Sequence, residues 1–230
     1  MFFFPIGCLV LGLFVFFFPL VLLLLFLNVV TFSFDRLGIS PQLAMAVLFL
    51  TLSGSVINIP LTKRTVEYTR KLQFGWFQIP VRREAGLAIN VGGAVIPAAL
   101  SCYLLFKVPV LPALVSTLLM IIICKLLAKP VPGRGLAIPM FIPPLFATLF
   151  AVLLAGEFAV PVAYISGVLG TLIGGDLLNL RKARGLEAGM VSIGGAGVFD
   201  GIFLVGIFSV ILTAIYLPPV TPFRLPGQFF

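Results

Sequence analysis

The sequence has no histidine, only seven acidic residues in 230, and three cysteines, Cys8, Cys102 and Cys124, far apart inside apolar runs. Without histidine, the commonest metal ligand and the commonest general base are both missing. The cysteine spacing fits neither a disulfide framework nor a metal site, and buried reduced thiols are the plain reading. Charged residues make up 10% of the chain, against about 25% in an ordinary soluble domain. That leaves too little solubilising surface for a soluble enzyme, a disordered tail or a secreted disulfide scaffold. The net charge is +8, but no segment is long enough to form a basic, water-facing nucleic-acid domain.

What is present is apolar: 61% of residues are hydrophobic and the mean hydropathy is +1.24. A helix needs about 20 apolar residues to cross a bilayer. Runs of this kind cover residues 2–34, 39–61, 84–106, 112–128, 136–155, 158–180 and 190–217. The expected fold is an all-α integral membrane protein, a single polytopic domain of about seven transmembrane helices. Residues 1–34 form an anchor helix, 39–106 a first hairpin, 112–155 two connecting helices, 158–217 a second hairpin and 218–230 an extended tail. The anchor lacks the basic start and the small-residue cleavage site of a removed signal.

The cations divide unevenly across such a model. Lys63, Arg64, Arg70, Lys71, Arg82, Arg83, Lys125, Lys129, Arg134, Arg181, Lys182 and Arg184 fall on one side; Arg36, Lys107 and Arg224 fall on the other. The crowded side is then cytoplasmic, with the amino terminus inside and the carboxyl terminus outside an inner (plasma) membrane. The connection at 65–78 mixes Tyr68, Phe74, Trp76 and Phe77 with Arg70 and Lys71, which suits an interfacial loop.

Two stretches echo each other. Leu52-Ser-Gly-Ser-Val-Ile-Asn58, leading to Lys63 and Arg64, resembles Leu172-Ile-Gly-Gly-Asp-Leu-Leu-Asn179, leading to Arg181 and Lys182. Later, Glu84-Ala-Gly and Gly92-Gly-Ala are matched by Glu187-Ala-Gly and Gly194-Gly-Ala. The implied arrangement is a parallel internal repeat of the helix 2–3 and helix 6–7 hairpins, a construction common in transporters.

Five acids, Asp35, Glu67, Glu84, Glu157 and Glu187, fall at span ends or in loops, whereas Asp176 and Asp200 fall within apolar stretches. An intramembrane acid costs at least about 2.5 kcal/mol at mid-span, so it usually faces a cavity or a partner. Gly174 and Gly175 beside the first acid, and Gly194, Gly195 and Gly197 beside the second, are positioned to open the backbone and free amides and carbonyls. Their other role is close helix packing, for which Gly170 with Gly174 and Gly197 with Gly201 have the four-residue spacing. If the second glycine run is unwound, the helix restarts near Val198; if it is straight, Asp200 lies deeper and the two acids need not meet. Asn58, Asn90 and Asn179 are candidate site members or interhelical hydrogen-bond partners. In residues 129–144, Pro139, Pro143 and Pro144 point to a kinked start of the fifth helix or to a re-entrant segment.

The runs at 58–61, 90–97, 170–180 and 192–203 resemble a prokaryotic membrane family catalogued as domain of unknown function 1614. The resemblance spans nearly the whole chain and supports the span map, but implies no activity. A weaker similarity, to presenilin-type and prepilin-type aspartyl proteases, rests on two membrane aspartates and on Gly174-Gly175-Asp176. It departs from their pattern at Ile173, in place of the first motif glycine, and at Phe199, where presenilins have tyrosine. The motif order is also inverted, and Pro112-Ala113-Leu114 precedes both acids. Three functions follow as expectations. The leading one is transport of a proton, a cation or a small polar solute through Asp176 and Asp200, assisted by Asn179, Asn90 and Asn58, with no cofactor and no metal. The others are an accessory subunit docking a membrane partner through its first helix and tail, and an intramembrane protease with an Asp176–Asp200 dyad.

Overall fold

The computed structural model describes residues 6–71, 78–131, 135–181, 190–195 and 201–217. The chain is mostly helical, and the helices follow the expected apolar runs in order. Helix α1 (Ile6–Arg36) has no hydrogen-bonding or charged side chain from Leu9 to Leu27, and Leu13 through Leu25 are exposed on every side. Among its described side chains, the buried ones are Val30, Ser33 and Phe34, near the carboxyl end. The helix stops at Gly38 (φ 71°): the Gly38 amide donates to the Asp35 carbonyl and the Ile39 amide to that of Phe34. This satisfies two carbonyls at the helix end and buries Phe34 and Ile39 together. Ser40, whose hydroxyl accepts from the Leu43 amide, and Pro41 then start α2 (Pro41–Gly54).

After α2 the structure departs from the all-α expectation. Strand β1 (Asn58–Lys71) pairs antiparallel with β2 (Gln78–Asn90), from Asn58 opposite Asn90 to Lys71 opposite Gln78. The connection expected as an interfacial loop at 65–78 therefore belongs, where described, to a long β-hairpin. Its residues are strand formers: Thr62, Thr65, Val66, Tyr68 and Thr69 are β-branched or aromatic. Pro60 lies on an edge strand beside a register shift, a position where a strand tolerates proline.

The third helix therefore begins later than residue 84. It consists of a π-helical turn, Val91–Val95, running into α3 (Ile96–Leu105). Helix α4 (Val110–Leu127) leads to a small hairpin, β3 (Lys129–Val131) with β4 (Gly135–Ala137), and then to α5 (Ile142–Ala155). The region expected as a kinked or re-entrant start thus holds a two-stranded ribbon. Pro143 and Pro144 sit in the first turn of α5, where amides have no intrahelical acceptor.

Gly156 (φ 54°) turns the chain into α6 (Ala159–Gly170), which packs against α5. Helix α6 is the centre of the molecule: every residue except Val160 and Leu169 is fully buried, against α3, α4, α5 and α7 (Gly201–Tyr216). Small residues permit this. Gly167 faces Ser209 and Ala147, Gly170 faces Met120, and Gly206 lies under the Tyr164 ring, where a Cβ would come within 2.7 Å. A hydroxyl seam joins α5 to α7, with Thr148 donating to the Ser209 carbonyl and Thr213 to Thr148.

The last expected span, 190–217, is also shortened. Strand β5 (Met190–Ile193) pairs parallel with β2, with Gly86 opposite Met190 and Ile89 opposite Ile193, and the described helix runs over Gly201–Tyr216. The sheet order is β1-β2-β5. Among the described residues, three helical stretches are long and apolar enough to cross a membrane: Leu13–Arg36, Val110–Leu127 and Ile142–Asn179, the last containing the Gly156 turn. Pro41–Gly54, Val91–Leu105 and Gly201–Tyr216 are apolar but shorter. At 1.5 Å per residue these last three reach about 21–24 Å, short of a 30 Å hydrocarbon core.

Candidate functional site

The end of the three-stranded sheet gathers several of the expected site residues. Asn90 closes β2 and is 1% exposed. Its side-chain oxygen accepts from the Gly93 amide at 2.7 Å, and its nitrogen donates to the Ser55 carbonyl at 2.6 Å and to Asn58 Oδ1 at 3.2 Å. Asn58 Oδ1 also accepts from the Ser192 hydroxyl at 2.7 Å. One side chain thus ties the end of α2, the start of β1 and the start of the third helix, and Asn58 extends the tie to β5. Both protons of the Asn90 amide are in use, which leaves it as a structural knot with no donor for a solute. Under it, Gly54 and Gly92 let the backbones touch: a Cβ on Gly92 would collide with the Thr51 carbonyl and the Ser55 amide.

Two residues beyond Ser192, β5 ends in Gly194 (φ 82°) and Gly195 (φ 86°), consecutive left-handed residues outside any helix. At these two residues the run is unwound; the expected restart near Val198 lies outside the described residues. Gly194 is required twice over, because a Cβ there would also sit 2.6 Å from that of Ala94. Its amide donates to Asp176 Oδ2 at 2.7 Å.

Asp176 ends a π-helical turn, Thr171–Asp176, that continues α6 and is followed by a 3-10 turn, Leu177–Asn179. The widened turn is wedged in place. A Cβ on Gly174 would strike the Ile121 carbonyl of α4, one on Gly175 the Ile138 side chain, and Thr171 meets the Cys124 thiol at 3.5 Å. Gly174 therefore lies in close contact with α4, whereas a Cβ on Gly201 would meet no described atom within 4 Å. Asn179 is fully buried and donates to the Gly174 and Gly175 carbonyls at 2.9 and 3.2 Å. Asp176 itself is partly buried.

The structure thus brings together Asp176 with Gly194, and Asn58 with Asn90, and links the two pairs through β5. Asp200 and Gly197 lie outside the described residues. Ser192 was missed by the sequence reading; its only signal is a lone hydroxyl in the second copy of an otherwise apolar motif. Among the described residues no three of His, Cys, Asp and Glu converge as a metal site would require.

The fold defines a mostly helical protein whose apolar helices suit a membrane, with a polar junction where two helix–strand units meet. The chain belongs to the family described as Protein of unknown function (DUF1614), which matches residues 52–212 and so includes that junction. No curated protein and no solved structure matches the chain significantly.

Proposed function

We propose that the protein is a polytopic inner-membrane protein that moves a proton, a cation or a small polar solute through a site centred on Asp176. The observation that carries this reading is a carboxylate placed where an apolar helix changes from π to 3-10 geometry, opposite an unwound glycine pair. Broken helices that present amides and carbonyls beside a charged group are how secondary transporters build ion sites. Asp176 precedes Arg181 by five residues, about 7 Å along a helix, which favours a position near the cytoplasmic face. Seven crossings, basic loops and amino terminus inside and carboxyl terminus outside, complete the arrangement.

The parallel repeat is supported by β2 and β5, in which Gly86–Ile89 and Met190–Ile193, residues of the two echoing stretches, run side by side in the same direction. In the test, purified protein is reconstituted in vesicles containing a pH- or cation-sensitive dye. Flux above protein-free vesicles that Asp176→Asn abolishes is the expected result; flux unchanged by that substitution would sink the reading.

A second reading, an accessory subunit, is favoured by α1, whose stretch from Leu13 to Leu25 is exposed among the described residues. Lipid solvates such a surface equally well, and this stretch lacks the small residues that usually mediate helix association. Deleting residues 1–26 and asking whether a co-purified partner is lost separates the two.

A further inference from the structure

The Asn179 amide has a determined orientation. Carbonyls only accept, so the nitrogen must be the pole that faces Gly174 and Gly175. The oxygen, Oδ1, is then an acceptor; it is buried and has no hydrogen-bond partner. A lone buried acceptor is costly in an apolar medium, and a position that keeps one is suited to receive a donor or a cation. Asp176 precedes Asn179 by three residues, at the junction of the π-helical and 3-10 turns, so the two side chains leave the chain within one turn of each other. The Asn179 side chain also folds back along the turn to reach residues 174 and 175, beside Asp176. The carboxylate takes one hydrogen bond, from Gly194, and among the described residues it has no ion pair.

We propose that Asp176 and Asn179 bind a monovalent hard metal cation of the sodium class, an assignment that rests on reading Asp176 as the charged member of a solute site. Charge decides the valence. Among the described side chains Asp176 is the one carboxylate at this site; it neutralises one positive charge, whereas a divalent ion would keep a net charge in an apolar surrounding, where uncompensated charge is heavily penalised. The donor set decides the class: a carboxylate and an amide oxygen are hard ligands and do not favour soft transition metals.

The full-length protein in detergent is assayed for 22Na+ retention, and its melting midpoint is compared in sodium and choline chloride at equal ionic strength. Saturable retention and a midpoint about 5 °C or more higher in sodium are expected. Asp176→Asn keeps an oxygen for the Gly194 amide and should fold, yet retain sodium at least about tenfold less well. The sodium–choline comparison needs no variant. Absence of any sodium-specific effect, equal retention by Asp176→Asn, or displacement by Ca2+ more readily than by K+ would each overturn the assignment. Vesicle flux that depends on Asp176 without sodium binding would overturn it too while leaving the transport reading intact. Sodium binding without flux would uphold it and remove the transport reading.

Discussion

The two helix–strand units share a motif and use it differently. In the first, α2 and the third helix meet at Gly54 and Gly92, and the neutral Asn90 joins the strand end to both through bonds that use both its amide protons. In the second, the glycine pair ends β5 in left-handed geometry, and the group that reaches its amide is a carboxylate from another element, Asp176. A neutral side chain with both donors in use can hold a junction together but has little to offer a solute. A partly buried carboxylate with one hydrogen bond is a poor lock and a good ligand. On the proposed function, stability belongs to the first unit and solute chemistry to the second.

That division can be tested by substitution, with stability read as the melting midpoint and the monodisperse yield in detergent. Gly92→Val should have the largest effect, about 3 kcal/mol or more, because the new atoms meet backbone that cannot move aside. Asn90→Leu should cost about 2–4 kcal/mol, since it strands the Ser55 carbonyl and the Gly93 amide in a buried place. Gly194→Ala should cost about 2 kcal/mol, from positive φ and from contact with Ala94. Ser192→Ala removes one bond of a half-open network and should cost about 1 kcal/mol. Asp176→Asn should change stability least, by less than about 1 kcal/mol, while removing flux. If it destabilises as much as Asn90→Leu does, the second unit is also a lock and the comparison fails.

Much of the helical order was legible because hydropathy reports on it directly. The runs at 112–128 and 158–180 correspond to α4 and to α6 with its extension, within two residues at each end. Expectation failed where strands adjoin helices. Ala85, Leu87, Ala88 and Ile89 are as apolar as a span, and a 20-residue window joins them to α3 although they belong to β2. The signal for the hairpin was present in the run of β-branched residues from Thr62 to Thr69 and in Pro60 and Pro80, but the hydropathy of the flanking segments outweighed it. Asp176, Asn179, Asn58 and Asn90 were recognisable as residues out of place in apolar surroundings. Their partners were not.

By itself the sequence determined the membrane character, the order of the helices and the short set of polar residues that needed an explanation. Those are consequences of composition and local periodicity. Only the tertiary structure decided that Asn90 saturates one junction, that Gly194 serves Asp176, and that Asn58 meets a serine 134 residues away. Such contacts follow from strand register and from the pitch of a π-helical turn, where a shift of one residue turns each side chain to the opposite face.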